Sequence, residues 1–371
     1  MRILVLPRDP NPYQRLLYGE MQRLGVEITY LGELTSWRTV NLLLLPLEMV
    51  ARRAAGARLI HLHWVFAFAL PGSIRGRLSR TMAYVWFLAW LRLCRVLGMH
   101  LVWTAHNVLP HRPVFADDVA ARRALVKASD LVLAHSQSAL VGLSALGAVA
   151  RKTAVIPHGP IAPLLPAAAL RIPGTGGKPR QFLFLGRVQE YKGVEDLLAA
   201  FLDIPDELGA HLTVAGQCDE PSLQARLYAL ARNGGERIVL RLERVPDEEV
   251  TILLAASDVV VLPFRCVTTS GSAMLALSHG RPLIVPDLAS LADLPEQAVL
   301  RYGGGVQALV TALTRLAAAD DDILAAMSAA ARGYAFCTTW QEIAATTYDE
   351  MLAVLGRVPE PQTRRRELRA L

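Results

Sequence analysis

Along the chain, short runs of aliphatic and branched residues alternate with longer stretches whose apolar positions recur every three or four residues. The first pattern is that of a buried strand and the second that of an amphipathic helix. In the first half strands are predicted at 2–6, 27–31, 58–63, 100–104, 130–134 and 153–157; in the second half at 181–185, 211–215, 237–242, 258–262 and 282–285. Strand–helix alternation of this kind builds a parallel sheet covered by helices on both faces, so the fold class is α/β, doubly wound. Between the halves Pro160, Pro163, Pro166, Pro173, Gly174, Gly176, Gly177 and Pro179 crowd together and the periodicity stops. The expected organisation is therefore a Rossmann-like domain over 1–162, a linker over 163–180, a second Rossmann-like domain over 181–335, a helix over 336–358 that braces the first domain, and a basic tail over 359–371. Ligands of such domains bind at the carboxyl ends of the strands, here in a cleft between two facing lobes.

Composition narrows the class. The 371 residues are 53% hydrophobic and 19% charged, with a mean hydropathy of +0.31, yet no apolar run is long enough to span a bilayer. A membrane-touching chain is expected rather than a membrane-spanning one. Met1-Arg2 leads directly into a short apolar run and then Pro7-Arg8-Asp9, which predicts a first strand and no signal peptide, hence a cytoplasmic protein. Cys94, Cys218, Cys266 and Cys337 lie far apart with no paired spacing, so neither zinc site nor disulfide framework is expected.

The formal charge of +6 suits anionic partners. Arg75, Arg77, Arg80, Arg92 and Arg95 surround Tyr84, Trp86, Phe87 and Trp90, and residues 40–50 lead into Arg52 and Arg53. Basic, aromatic, amphipathic segments of this type lie on anionic membrane surfaces, or pack on the sheet with their arginines snorkelling to water. Arginines interleaved with a wide apolar face, without a nucleic-acid module, argue against nucleic acid as the partner.

Candidate chemistry in the second half centres on two loops. Strand 181–185 runs into Gly186-Arg187-Val188-Gln189-Glu190-Tyr191-Lys192-Gly193, where glycines permit a tight turn and Arg187 and Lys192 bring two cations to one pocket, as a diphosphate requires. Strand 258–262 leads to Thr269-Ser270-Gly271-Ser272 at the start of a helix, where free N–H groups and the helix dipole favour phosphate oxygens. In the first half His106, with Asn107 and His111 beyond it, follows strand 100–104; His63 ends another strand, His135 a third and His158 the last, while Asn11 follows the first. Several polar groups thus converge on one edge, as a sugar site needs. The histidines show no metal-ligand spacing, so no metal is expected. Residues 11–14 lack the glycine fingerprint of a dinucleotide site, and Pro179 after Lys178 breaks a P-loop pattern.

The runs GRVQEYKG at 186–193, VAGQ at 214–217, VPDEEV at 245–250, SDVVVLPF at 257–264 and SGSAMLALSHGRPLIVPD at 270–287 resemble, in order and spacing, the C-terminal lobe of GT-B glycosyltransferases of family 4. TAHNVLPH at 104–111 is similar to bacterial members that build exopolysaccharide or natural-product sugars. The resemblance implies transfer of a sugar from a nucleotide diphosphate donor, with retention and no metal, onto a glycan or lipid-linked acceptor. It implies that Arg187, Lys192, Gly186, Thr269, Ser270, Gly271 and Ser272 hold the diphosphate, that Gln217 and Arg241 lie near the diphosphate or base, and that His106 lies beside the reacting sugar. Asn11, His63, Asn107, His135 and His158 would line the acceptor side. One departure stands out: two glutamates that the family carries on either side of the phosphate loop fall here on Val267 and Leu275. A non-catalytic nucleotide-sugar-binding homologue and a sugar-nucleotide epimerase are the alternatives.

Overall fold

In a computed structural model of the chain, residues 1–9, 11–70, 76–110, 113–161, 179–267 and 270–357 are described. Thr269, His111, Arg75, Ala162, residues 163–178 of the expected linker, Val358 and the expected tail over 359–371 lie outside them. The chain divides into two compact units, Met1–His158 with Thr339–Leu371, and Gly159–Thr338.

The first unit runs β1 (Arg2–Leu6), α1 (Pro12–Arg23), β2 (Glu27–Tyr30), α2 (Arg38–Ala54), β3 (Leu59–Leu62), α3 (Arg77–Val96), β4 (His100–Ala105), α4 (Asp118–Ala128), β5 (Leu131–Ala134), α5 (Gln137–Ser144) and β6 (Thr153–Val155). Its six strands are ordered β2-β1-β3-β4-β5-β6, and every pairing is parallel. Successive side chains of a strand point to opposite faces, so Ile3 and Val5 join one buried cluster and Leu4 and Leu6 the other. Burial on both faces is why these strands read as continuous apolar runs.

The second unit runs β7 (Gln181–Leu185), α6 (Val194–Leu202), β8 (His211–Ala215), α7 (Pro221–Ala231), β9 (Ile238–Arg241), α8 (Asp247–Ala256), β10 (Val259–Val261), α9 (Gly271–Ser278), β11 (Leu283–Pro286), β12 (Val299–Tyr302), α10 (Val306–Ala317) and α11 (Asp321–Ala335). Its order, β12-β11-β10-β7-β8-β9, is that of a Rossmann sheet, with the direction of winding reversing between β7 and β10. β12 was absent from the sequence expectation: at the sheet edge Leu300 and Arg301 are only part-buried, so the strand lacks an apolar run.

Helix α12 (Trp340–Val354) returns to the first unit. A reciprocal cap starts it, Thr339 accepting from the Glu342 N–H while the Glu342 carboxylate accepts from Thr339. Its inward face, Trp340, Ile343, Ala344 and Met351, completes the cluster containing Tyr13 and Leu17 of α1.

The aromatic face of α3 turns inward, which corrects the expected membrane-facing role of Trp86 and Trp90. Trp90 is 2% exposed and lies against Phe68 and Phe87 at centroid distances of 5.0 and 6.2 Å; Trp86 packs at the margin of the same cluster. The helix carries apolar residues on both faces, and the larger rings filled the core. Leu78, Met82 and Val85 stand out from the other face.

Two glycines let the loops after β8 and β10 press onto the turn after β7. Gly216 has φ +140°, and a Cβ there would lie 2.1 Å from the Gly186 carbonyl oxygen. Gly193, φ +69°, leaves no room either, a Cβ meeting the Pro263 oxygen at 1.9 Å.

Two stability predictions follow from this packing. Gly216→Ala should cost upwards of about 1–3 kcal/mol through strain and forced separation of the loops, while Gly235→Ala, at φ +54° with nothing within 4 Å, should cost only about 1–2 kcal/mol; differential scanning calorimetry reads both. Ile343→Ala, at a 1% exposed position, should lose roughly 2–4 kcal/mol, and Ile323→Ala, at a 50% exposed one, less than about 0.5 kcal/mol, as read from urea midpoints.

Candidate functional site

In the second unit the residues expected to hold phosphate gather where the winding reverses. The turn after β7 is stitched to the loop after β8 by Gly186 N–H to Ala215 O at 3.1 Å and Val188 N–H to Gln217 O at 2.9 Å. The loop after β10 is pinned onto the same turn: the Arg265 N–H donates to Tyr191 O at 2.9 Å, and the Arg265 fork spans the Asp196 carboxylate at 2.8 and 2.9 Å. Helix α9 begins beside them, with Ser272 Oγ 3.0 Å from where a Gly186 Cβ would sit.

Lys192 is the central cation of this arrangement. Its Nζ lies 4.2 Å from the Phe264 ring centroid and 5.2 Å from that of Tyr191. Among the described residues no carboxylate pairs with it. Burial pushes its pKa down to about 8, with the Cys266 thiol acting in the opposite direction. An ammonium lying against aromatic faces and lacking an anionic partner is poised to receive one.

Arg187 is placed differently. It is exposed, and its guanidinium forks onto Asp219, Nε to Oδ2 at 3.0 Å; Gln217 Nε2 donates to the other carboxylate oxygen at 2.7 Å. Asp219, which sequence reasoning missed, thus holds both residues in the unliganded protein. Its signal was slight: an acid two positions after Gln217 beside a predicted cation pair.

Arg241 is likewise committed, to Glu249 and, at 3.4 Å, to Glu243, so its guanidinium points at α8 and the adjoining loop. Ser270 caps α9, its Oγ accepting from Ala273 N–H at 3.1 Å, while Gly271 and Ser272 form the first turn with N–H groups that have no helical acceptor. Val267 and Leu275, standing where the family carries glutamates, pack against the apolar cluster that includes Phe264 and Ala273.

In the first unit the histidines do meet. His63, His106 and His135 follow β3, β4 and β5, adjacent parallel strands spaced about 4.8 Å apart, so their rings become neighbours. His63 Nδ1 and His106 Nε2 are 3.0 Å apart, and His106 Nδ1 and His135 Nε2 are 3.3 Å apart. His135 Nδ1 lies 3.1 Å from the Ile156 carbonyl.

The Tyr18 hydroxyl bridges His61 Nδ1 at 2.8 Å and His63 Nε2 at 2.6 Å, and His61 Nε2 meets Thr104 Oγ1 at 2.7 Å. Tyr13 stands among His63, His106, His135 and His158 at centroid distances of 5.9, 4.9, 5.0 and 5.2 Å, and Trp64 stacks on His106 at 4.4 Å. Tyr13, Tyr18 and Thr104 are the residues the sequence did not single out.

Burial drives the imidazole pKa values down, to about 3 for His61 and His135 and well below the usual range for His63 and His106, where the neighbouring histidines add to the effect. Asn11 caps α1 through its Oδ1 and the Tyr13 N–H at 2.9 Å. Asn107 is part-exposed beyond β4. Among the described residues no group of three or more His, Cys, Asp or Glu side chains is arranged to hold a metal ion.

Comparison with known proteins accords with this geometry. Residues 179–319 match the family "Glycosyl transferases group 1". A GDP-mannose:glycolipid 4-β-D-mannosyltransferase of Xanthomonas campestris is 29% identical over 239 residues, covering 64% of this chain and 64% of that protein, so the alignment spans just under two thirds of the relative's length. Among solved structures, sucrose-phosphate synthase of Thermosynechococcus elongatus superposes with a TM-score of 0.74 at 19% identity, over 95% of this chain and 99% of that one. HepE of Anabaena, determined with UDP and glucose, gives 0.67 at 18% identity over 95% and 100%. The sequence of the second unit is thus similar to the glycosyl transferases of group 1, and the chain shares the α/β fold of GT-B proteins.

Proposed function

We propose that the protein transfers a sugar from a nucleotide diphosphate sugar to a glycan or lipid-linked acceptor, with the donor diphosphate on the second unit. The observation that carries this reading is Lys192, a part-buried ammonium against Phe264 that pairs with no carboxylate among the described residues, beside the β7 turn of a Rossmann sheet. Support comes from the first turn of α9 and from relatives whose names specify a GDP-sugar donor or whose structures hold UDP.

In the proposed reaction Lys192, the Gly271–Ser272 N–H groups and Arg187, released from Asp219, take up the charge that develops on the departing diphosphate. Fixed cations and a helix dipole then supply the electrostatic stabilisation that drives bond cleavage. No metal is required for that role, so EDTA should leave the rate unchanged. His106 acts on the acceptor side as a neutral imidazole and not as an obligatory base. Retention follows from the family resemblance; because one relative is named for a β-linked product, the anomeric configuration of the product, read by NMR, is the sharpest check on it.

A second reading, a nucleotide-sugar-binding homologue without turnover, is favoured by Val267 and Leu275, apolar packing residues where the family has glutamates. It predicts donor binding with neither transfer nor slow donor hydrolysis.

We also propose contact with an anionic membrane surface, through residues other than the tryptophans. Leu43, Leu47 and Val50 on α2 are 58, 68 and 48% exposed, and Leu78, Met82 and Val85 on α3 are 70, 52 and 60% exposed. Both triplets follow one helical face, and Arg77, Arg92 and Arg95 are exposed on α3. Among the described residues no helix is long and apolar enough to cross a membrane.

The donor site is tested by thermal shift with UDP, GDP, dTDP and ADP. One of them should raise the Tm of wild type and fail to raise that of Lys192→Gln. Affinity should be pH-dependent, with the sign set by Lys192: a bound diphosphate favours the ammonium, so binding takes up a proton above the free pKa of about 8. Affinity should be level from about pH 7 to that pH, where the terminal phosphate is already ionised, and fall by up to about tenfold per pH unit above it; a level profile through pH 9 would remove Lys192 from the site. For the membrane, co-flotation with phosphatidylserine-containing vesicles should be lost in Leu43→Asp plus Leu47→Asp, and undiminished flotation of that variant would rule the surface out.

A further inference from the structure

The histidines of the first unit form one continuous hydrogen-bonded array, and one end of it fixes the direction of every proton. The Ile156 carbonyl can only accept, so His135 Nδ1, 3.1 Å away, carries a hydrogen. A neutral His135 then accepts at Nε2, which makes the facing His106 Nδ1 a donor at 3.3 Å. By the same step His106 Nε2 accepts from His63 Nδ1 at 3.0 Å, and His63 Nε2 accepts from the Tyr18 hydroxyl at 2.6 Å.

Tyr18 has one proton and has spent it, so its oxygen accepts from His61 Nδ1 at 2.8 Å; His61 Nε2 is left to accept from the Thr104 hydroxyl at 2.7 Å. All four imidazoles are therefore neutral Nδ1–H tautomers. The reverse direction would satisfy every contact except one, leaving Ile156 without its donor.

We infer that His135, through the Ile156 carbonyl, is a positioning residue that polarises the whole array and holds His106 as a neutral ring with both nitrogens engaged. Since the array dead-ends on an amide oxygen, it does not conduct protons. His106 in this state accepts no proton from an acceptor hydroxyl: its Nε2 lone pair belongs to His63. What it presents instead is a ring of fixed tilt, backed by Trp64 stacked at 4.4 Å with an interplanar angle of 15°. The groups facing the array are Tyr13 and Tyr18 from α1, the imidazoles of His61, His63, His106 and His135 themselves, His158 beyond β6, and Trp340 from α12. The hydrogen bonds of the four rings include none to Asp, Glu, Lys or Arg, and the tyrosines are held neutral by burial. The consequence for His106 rests on the proposed sugar transfer; the tautomers do not.

The test is long-range 1H–15N NMR of the full chain labelled at histidine, which reports which ring nitrogen carries the proton and needs no turnover. In wild type His61, His63, His106 and His135 should all read as Nδ1–H and stay unprotonated from pH 8 to pH 5. His135→Phe removes the anchor, so His61, His63 and His106 should revert together toward the Nε2–H form that a solvated histidine side chain prefers. Tyr18→Phe cuts the array in its middle. Only His61 should then revert, because His63 and His106 remain on the anchored side.

Reversion of His63 and His106 in Tyr18→Phe, or Nε2–H at His106 in wild type, overturns the inference. Should His135→Phe not fold, Tyr18→Phe alone still decides the direction. A rate profile flat from pH 6 to 8 in wild type, gaining an imidazole limb in His135→Phe, extends the result to catalysis. An NMR pattern as expected in a protein without transfer activity would overturn the proposed function and leave the array intact.

Discussion

A lysine ammonium set against an aromatic ring, with no carboxylate paired to it among the described residues, is the constraint from which the rest of the second unit follows. Lys192 can hold this place only because Gly193 lets the Pro263 backbone pass where a side chain would be and because Arg265 is clamped to Asp196. The Gly186–Gly216 approach brings the β7 and β8 loops to the same edge of the sheet. The turn thus keeps a desolvated cation at a crevice where backbone N–H groups also converge. That arrangement costs stability in the absence of an anion and is repaid when one binds. Arg187 shows the complementary strategy. It is exposed and neutralised by Asp219, so it adds little in the resting state and is free to exchange partners when a diphosphate competes for it.

The two units treat charge in opposite ways. The second concentrates cations near free helical N–H groups. The first buries four imidazoles and two phenols and keeps them neutral by giving each one proton a single destination. In a low-dielectric site a fully satisfied polar network is rigid, whereas a charge placed within it would be costly. Neutrality of the histidines of the first unit is thus a product of hydrogen-bond direction as much as of burial.

Most of the architecture was legible because parallel strands buried on both faces leave uninterrupted apolar runs, and β1, β4, β7 and β8 stand close to where those runs lie. β12 escaped because an edge strand needs no such run. On α3 the spacing revealed two apolar faces and could not say which turns inward; the volume of Phe87 and Trp90 decided it.

In the candidate sites, residue types and strand ends could be read, so the places of Lys192 after β7, His106 after β4 and Ser270 at the start of α9 were expected from the sequence. Partners could not. Asp219 lies 32 residues from Arg187, and Tyr18 lies 43 and 45 residues from the histidines it joins; only the order of strands in the sheet brings such pairs together. The phosphate-binding role proposed for Arg187 was read from sequence spacing; what the structure shows is its ion pair with Asp219.

The measurement that bears most directly on these ideas is proton uptake on binding, by calorimetric titration of wild type with the nucleoside diphosphate that stabilises it, at pH 8.5 in two buffers of different ionisation enthalpy. Near this pH the terminal phosphate, with a second pKa of about 6, is already ionised and contributes no proton. A diphosphate held by Lys192, whose free pKa is about 8, should draw a substantial fraction of one proton from the buffer, and Lys192→Gln should abolish that uptake. Tight binding by wild type with no buffer-dependent heat would contradict the assignment of Lys192 as the cation that holds the donor.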